Sequence, residues 1–169
     1  MKLIQIFLIS LLSNYSYSAF PYERLDNWII YNLTLEGSIG GSAIGFDDGR
    51  EVKLVYDCVN ILSTKVKKSN LYISFPNKLP KDVSVAWITY KSEFDSAVSI
   101  STSIKDKQIN LKDLYLWSVL RNSKKISIDI EIYNDRRTLV FKQKPIIFDM
   151  RKFVEAVNKA NDICKFNMT

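Results

Sequence analysis

The sequence predicts a mainly β fold: an antiparallel β-sandwich with a short internal helix and a C-terminal helix packed on the sheet. Three observations predict it. Ile126-Ser127-Ile128-Asp129-Ile130-Glu131-Ile132 alternates isoleucine with polar residues without a break, the period of a half-buried antiparallel strand. Polar turn residues recur about every 8–12 positions through the middle of the chain, the cadence of a sandwich or barrel. Met150, Phe153, Val154, Val157, Ala160 and Cys164 then form one apolar stripe at helical spacing.

Taken in order, the chain opens on Met1-Lys2, an apolar run from Leu3 to Leu12, and a polar stretch of small residues. That is the order of a secretory signal. Residues 1–18 are predicted to be removed, with Ser16 and Ser18 ahead of a cut before Ala19, leaving a single β-rich domain over residues 19–169. The run falls short of the roughly 20 residues that span a bilayer, so no stable membrane span is expected. No Cys follows it to carry a lipid.

Asp26 to Leu35 reads as a first strand with Trp28 as a core residue. The glycines cluster from Gly37 to Gly49 and end in the turn Asp47-Asp48-Gly49. This stretch lacks the Gly-Lys-Ser/Thr ending of a phosphate loop. Val52 to Cys58 alternates as a strand with Leu54, Tyr56 and Cys58 on one side. Strands are predicted over Leu71–Phe75, Val83–Tyr90 and Ala97–Ser101, with Pro76 and Pro80 bracketing one loop. Asn110 is the expected cap of a helix from Leu111 to Arg121. After the isoleucine strand, Asn134-Asp135-Arg136 turns the chain into Thr138–Lys142, and Asp149 is the expected N-cap of the last helix.

Cys58 and Cys164 lie far apart in a chain with an export signal, which favours a disulfide tying the last helix to the strand that ends at Cys58. Two cysteines so spaced make neither a metal site nor a redox C-x-x-C centre. The chain has 24 Lys and Arg against 18 Asp and Glu, a net charge of +6. An anionic partner would suit that balance. Yet the charge is divided among Lys65/Lys67/Lys68, Arg121/Lys124/Lys125 and Arg136/Arg137, at predicted turns and strand ends, and no nucleic-acid module accompanies it.

Histidine is absent. This removes Ser–His–Asp and Cys–His catalysis and the usual zinc hydrolase ligand sets. Carboxylate pairs are the remaining enzymatic resource, as a cell-wall glycan hydrolase would need. Asp47/Asp48 and Glu93/Asp95 read as solvated turn residues, and Asp129/Glu131 as the outward face of a strand. No catalytic, cofactor or metal residues are therefore assigned. Trp28, Trp87 and Trp117 are the tryptophans. Trp87 stands out because Val83, Val85 and Trp87 share one face of their strand while Ala86, Ile88 and Tyr90 share the other. A strand apolar on both sides lies mid-sandwich or meets a partner, so Trp87 and Tyr90 are the expected partner contacts. Asn32-Leu33-Thr34 and Asn167-Met168-Thr169 fit the N-glycosylation pattern.

An early Trp28, a strand ending in Cys58, a β-rich middle, a late hairpin and a closing helix ending in Cys164 resemble the small exported β-sandwich proteins of bacteria. The resemblance is to the periplasmic accessory proteins of type VI secretion systems in particular, over about residues 28–166. In place of that group's Asp-Asp/Ser stretch, the chain has Asp47-Asp48. The resemblance implies a non-enzymatic envelope role in the periplasm or outside the cell. The expected function is thus binding to a protein or envelope polymer. A glycan hydrolase and a secreted effector or inhibitor are the alternatives.

Overall fold

The computed structural model describes residues 21–165 except 36, 50, 78, 80–82, 95, 96, 106, 107, 112, 113 and 135. The signal segment, Pro80, Asp95, Asp135 and the Asn167 sequon lie outside the described residues. Among the described residues the fold is mostly antiparallel β, with two sheets and two helices. The first sheet holds β1 (Pro21–Leu25), β2 (Trp28–Leu35), β3 (Ser38–Phe46), β4 (Lys53–Ile61), β5 (Val66–Ser74) and β8 (Gln108–Asn110), and the second holds β6 (Val83–Ser92), β7 (Val98–Lys105), β9 (Lys125–Asn134) and β10 (Leu139–Asp149). The helices are α1 (Leu114–Asn122) and α2 (Phe153–Ile163).

The two sheets share one hydrogen-bonded order, β1-β2-β3-β4-β5-β8-β7-β6-β9-β10. The join is β7: it pairs with β6 from Val98 to Ser103 and with β8 at Ile104 and Lys105. A strand that changes sheets folds the ladder over, and the inner faces of the two layers make one core. On the opposite side Asp47 bridges Phe148, and the Asp48 N–H donates to the Ile147 carbonyl.

The core follows the alternation in the sequence. Ile126, Ile128, Ile130 and Ile132 are buried from β9, and Leu54, Tyr56 and Cys58 from β4. Cys58 and Cys164 are bonded, as expected, with both residues fully buried. The strand does not end at Cys58 but runs on to Ile61.

Trp28 is fully buried, and its Nε1 donates to the Asp149 carbonyl at 3.2 Å. From it an aromatic chain runs through Phe153 (5.1 Å between ring centres) and Trp117 (5.5 Å) to Tyr56 (5.8 Å). The Tyr56 hydroxyl then donates to Asn161 Oδ1 at 2.6 Å. These contacts and the disulfide place α2 on the inner side of β2, β3 and β4.

Several expected boundaries are corrected. The first strand is a hairpin, β1–β2, turning at Asp26-Asn27 with Asp26 in the left-handed region at φ 50°, as a two-residue hairpin loop requires. The glycine-rich stretch is itself strand β3. A Cβ at Gly41 would lie 2.4 Å from the Ala160 carbonyl oxygen, and one at Gly45 would lie 2.7 Å from the Trp28 ring. Glycine is there so that helix and indole can approach the sheet.

Asn110 caps no helix: it ends β8, where its carbonyl accepts the Thr102 hydroxyl and its Oδ1 accepts the Asn70 amide. Asp149 ends β10 instead of capping α2. Its carboxylate takes the Arg151 N–H and guanidinium, while Lys152, at φ 71°, holds the N-cap position without a side-chain cap. The helix therefore starts at Phe153, one turn later than the apolar stripe suggests, because β10 consumes Pro145 to Asp149.

Candidate binding face

The carboxylates are accounted for individually. Asp47 accepts the N–H groups of Gly49 (3.3 Å), Glu51 (2.8 Å) and Val52 (3.0 Å), so it builds the β3–β4 turn. Asp48 is an exposed residue 3.9 Å from Lys125. Glu93 accepts the backbone N–H of Lys124 (2.5 Å) and Lys125 (3.1 Å), which hold its carboxyl below the usual range and pin the β6–β7 loop to the start of β9. Glu131 accepts Lys142 Nζ at 2.7 Å and the Tyr133 hydroxyl at 2.8 Å. Lys142 first, then Tyr133, lowers its pKa. A carboxylate so held stays ionised and is unsuited to proton donation. Among the described residues no group of three His, Cys, Asp or Glu is placed to hold a metal ion.

The tryptophans separate cleanly. Trp28 and Trp117 pack in the core, whereas Trp87 is 47% exposed on the outward face of the second sheet. It points outward because Ala86, Ile88 and Tyr90 fill the inner side of β6. Tyr90 is 0% exposed. The two expected contacts thus fall on opposite faces: Trp87 is at the surface, and Tyr90 is in the core.

Pairing across the sheet puts Ser101, Trp87, Glu131 and Lys142 in one row. The next row holds Val85, Tyr133 and Leu139. Val85 is 38% and Leu139 45% exposed, so an apolar–aromatic patch of Val85, Trp87, Tyr133 and Leu139 sits beside the Glu131–Lys142 pair. Thr89 and Ser99 bond to each other at 2.7 Å two residues along. Large apolar groups grouped in water, with a polar rim, are what a recognition surface presents. β10, at the end of the strand order, borders the patch with exposed Leu139 and Val140.

The sequence pointed to Trp87 and to an outward Glu131. Tyr133 and Leu139 join them only through strand register, which local pattern does not carry.

The basic clusters stay apart. Lys65, Lys67 and Lys68 surround the β4–β5 hairpin, Arg136 and Arg137 lie at the β9–β10 tip, and Arg121, Lys124 and Lys125 lie between α1 and β9. A shallow hollow of about 530 Å³ next to Arg121 is also lined by Arg151, Lys152 and Lys159. These three are paired with Asp149, Glu155 (2.8 Å) and Glu23 (2.5 Å). Among the described residues no helix is long and apolar enough to cross a membrane.

No family model matches the chain. No curated protein matches it either. Among solved structures it is similar to the crystal structure of invasion associated protein B from Bartonella henselae, at 14% identity and a TM-score of 0.49, over 85% of this chain and 97% of that one.

Proposed function

We propose that this chain is an exported binding protein that works without catalysis and engages a protein of the cell envelope through the outward face of its second sheet. The patch of exposed Trp87, Val85 and Leu139 with half-buried Tyr133 carries this reading. Three exposed apolar or aromatic side chains grouped around Tyr133 favour a protein occupant whose contact buries them. Export is supported by the signal-like first eighteen residues and by a buried disulfide, a bond suited to an oxidising compartment. A binding role is supported by Asp47, Glu93 and Glu131, which are engaged in a turn, a loop anchor and an ion pair. An accessory role at a bacterial envelope fits both the small size and the features shared with exported sandwich proteins.

The test is capture from an envelope fraction by immobilised mature chain, with Trp87→Ala and Val85→Ser/Leu139→Ser as comparisons. Lys68→Ala, at the other sheet, is the control. Protein captured by the native chain and Lys68→Ala, but lost from both patch variants, is expected. Equal capture by all forms would remove the face from the reading. Trp87-dependent retention of purified cell-wall polymer would transfer the face to a glycan.

Intact mass of protein from an exporting host checks the address: loss of residues 1–18, with two thiols appearing only on reduction, is the expected result. An uncleaved chain with free thiols would overturn export.

A further inference from the structure

A second surface of different chemistry lies on the outward side of the first sheet. Both described helices occupy the other side, where Gly41, Tyr56 and Cys58 meet α2 and Trp117. On the outward side, register aligns Tyr31, Ser42, Asp57 and Asn70 across β2, β3, β4 and β5. One row away stand Leu33, Gly40, Val59 and Lys68. Small residues on β3 stand between larger ones on β2 and β4: Gly40 and Ser42 are buried, with half-buried Tyr31 and Leu33 on one side and Asp57 and Val59 on the other.

Asp57 is the acidic residue of that row. The Tyr72 hydroxyl donates to it at 2.6 Å, and Ser42 supplies a second hydrogen bond. Both donors are neutral. Asp57 makes no ion pair among the described residues, in a chain with an excess of cations. Glu23, Glu131, Asp149 and Glu155 each have a lysine or arginine. Two lysines share the face with Asp57 and neither pairs with it; Lys53 lies over the Phe46 ring, 5.8 Å from its centre.

A half-buried carboxylate with hydroxyl donors only has no countercharge for the water it has lost. Burial accordingly raises its pKa despite both hydrogen bonds. A cation from outside supplies what is missing, and tyrosine beside the carboxylate offers an aromatic face for its flat or methylene part.

We propose that the Asp57 carboxylate on this face is a docking point for a basic side chain, arginine or lysine, presented by a protein partner. The ion pair forms with the carboxylate edge that Tyr72 and Ser42 orient, and the stem of the guest lies across the half-buried Leu33 and Val59. This inference concerns a different sheet from the Trp87 face and stands or falls separately.

The test uses N-acetyl-arginine amide and N-acetyl-lysine amide as probes, with N-acetyl-norleucine amide as the uncharged control, on isotope-labelled mature chain by NMR. Saturable shifts confined to the amides of Ser42, Asp57, Asn70 and Tyr72 are expected with the two cations and not with the control. Asp57→Asn should weaken them at least about tenfold, the loss that removing one charge-assisted hydrogen bond brings.

A second readout needs no variant. The Asp57 carboxyl carbon, titrated in the native chain, should show its pKa move down when probe is bound. No saturable shift at these amides, an equal response to norleucine, or an Asp57 pKa indifferent to probe would each overturn the proposal. Unchanged capture at the Trp87 face in Asp57→Asn would leave the proposed function standing in that event.

Discussion

A methyl group at Gly41 would stand against the backbone of α2, and one at Gly45 against the Trp28 ring. Neither neighbour is the loose end of a flexible side chain, so relief requires moving the helix or the indole. Gly41→Ala is expected to lower stability by about 1–3 kcal/mol, the usual cost of overpacking, visible as an earlier midpoint in urea. Trp87→Ala, at an exposed site, should change stability by no more than about 0.5 kcal/mol. That contrast lets the variant report on binding instead of folding.

Asp57 gives the pH dependence. Its folded pKa is raised above the unfolded value of about 3.9, so the folded state holds its proton more tightly. Stability from this group is therefore present at low pH and is lost as pH rises from about 3.9 through the folded pKa. Asp57→Asn should flatten that part of the curve in denaturant melts at stepped pH. A native curve with the opposite slope at Asp57, isolated by difference from the variant, would contradict the burial assignment. At this scale the sequence was a good guide to Trp28, Cys58 and the outward Glu131, because alternation within one strand decides them. It did not separate Trp87 from Tyr90, since a strand apolar on both faces does not say which face meets the other sheet.

Among the elements, the disulfide and α2 carry the most separable energy. The bond closes a separation of 106 residues, for which chain entropy gives on the order of 4–5 kcal/mol. Replacing both cysteines by alanine should cost that much in chemical denaturation. The loss should register first as faster amide exchange in α2, because the helix is joined to the sheet there and through the Tyr56–Asn161 hydrogen bond. A uniform loss of protection would mean that α2 unfolds only with the whole domain.

The isoleucine strand and the closing helix were legible from period alone. β3 was not, because Gly41 is dictated by a helix more than a hundred residues away and Gly45 by the Trp28 ring, and together they read locally as a turn. β8, three residues long, carries no pattern of its own. The start of α2 was missed for a third reason: β10 runs through Pro145 with a register shift, and a proline so placed reads as the end of a strand.

For the molecule as a whole, β7 makes the two layers one ladder, while the opposite corner is held by the Asp47–Phe148 bridge and the Asp48–Ile147 hydrogen bond. Opening at that corner breaks few bonds, so amides of Asp48 and its neighbours should exchange faster than those at the β7 fold. Asp47→Ala, which removes three side-chain acceptor contacts from the turn, should widen that difference. The fold class was readable at this scale because alternation and turn spacing are properties of a sandwich as such. Strand order was not, since it depends on which distant edges pair.

The sandwich also sets the geometry of any assembly it enters. Its two outward faces look away from each other across a core about 10 Å thick. A body resting on the Trp87 side cannot touch one held at Asp57, and neither needs to leave for the other to arrive. The energetic effects of Trp87→Ala and Asp57→Asn should then add. A chain with both faces occupied is a spacer between two neighbours, which it holds apart by its own thickness.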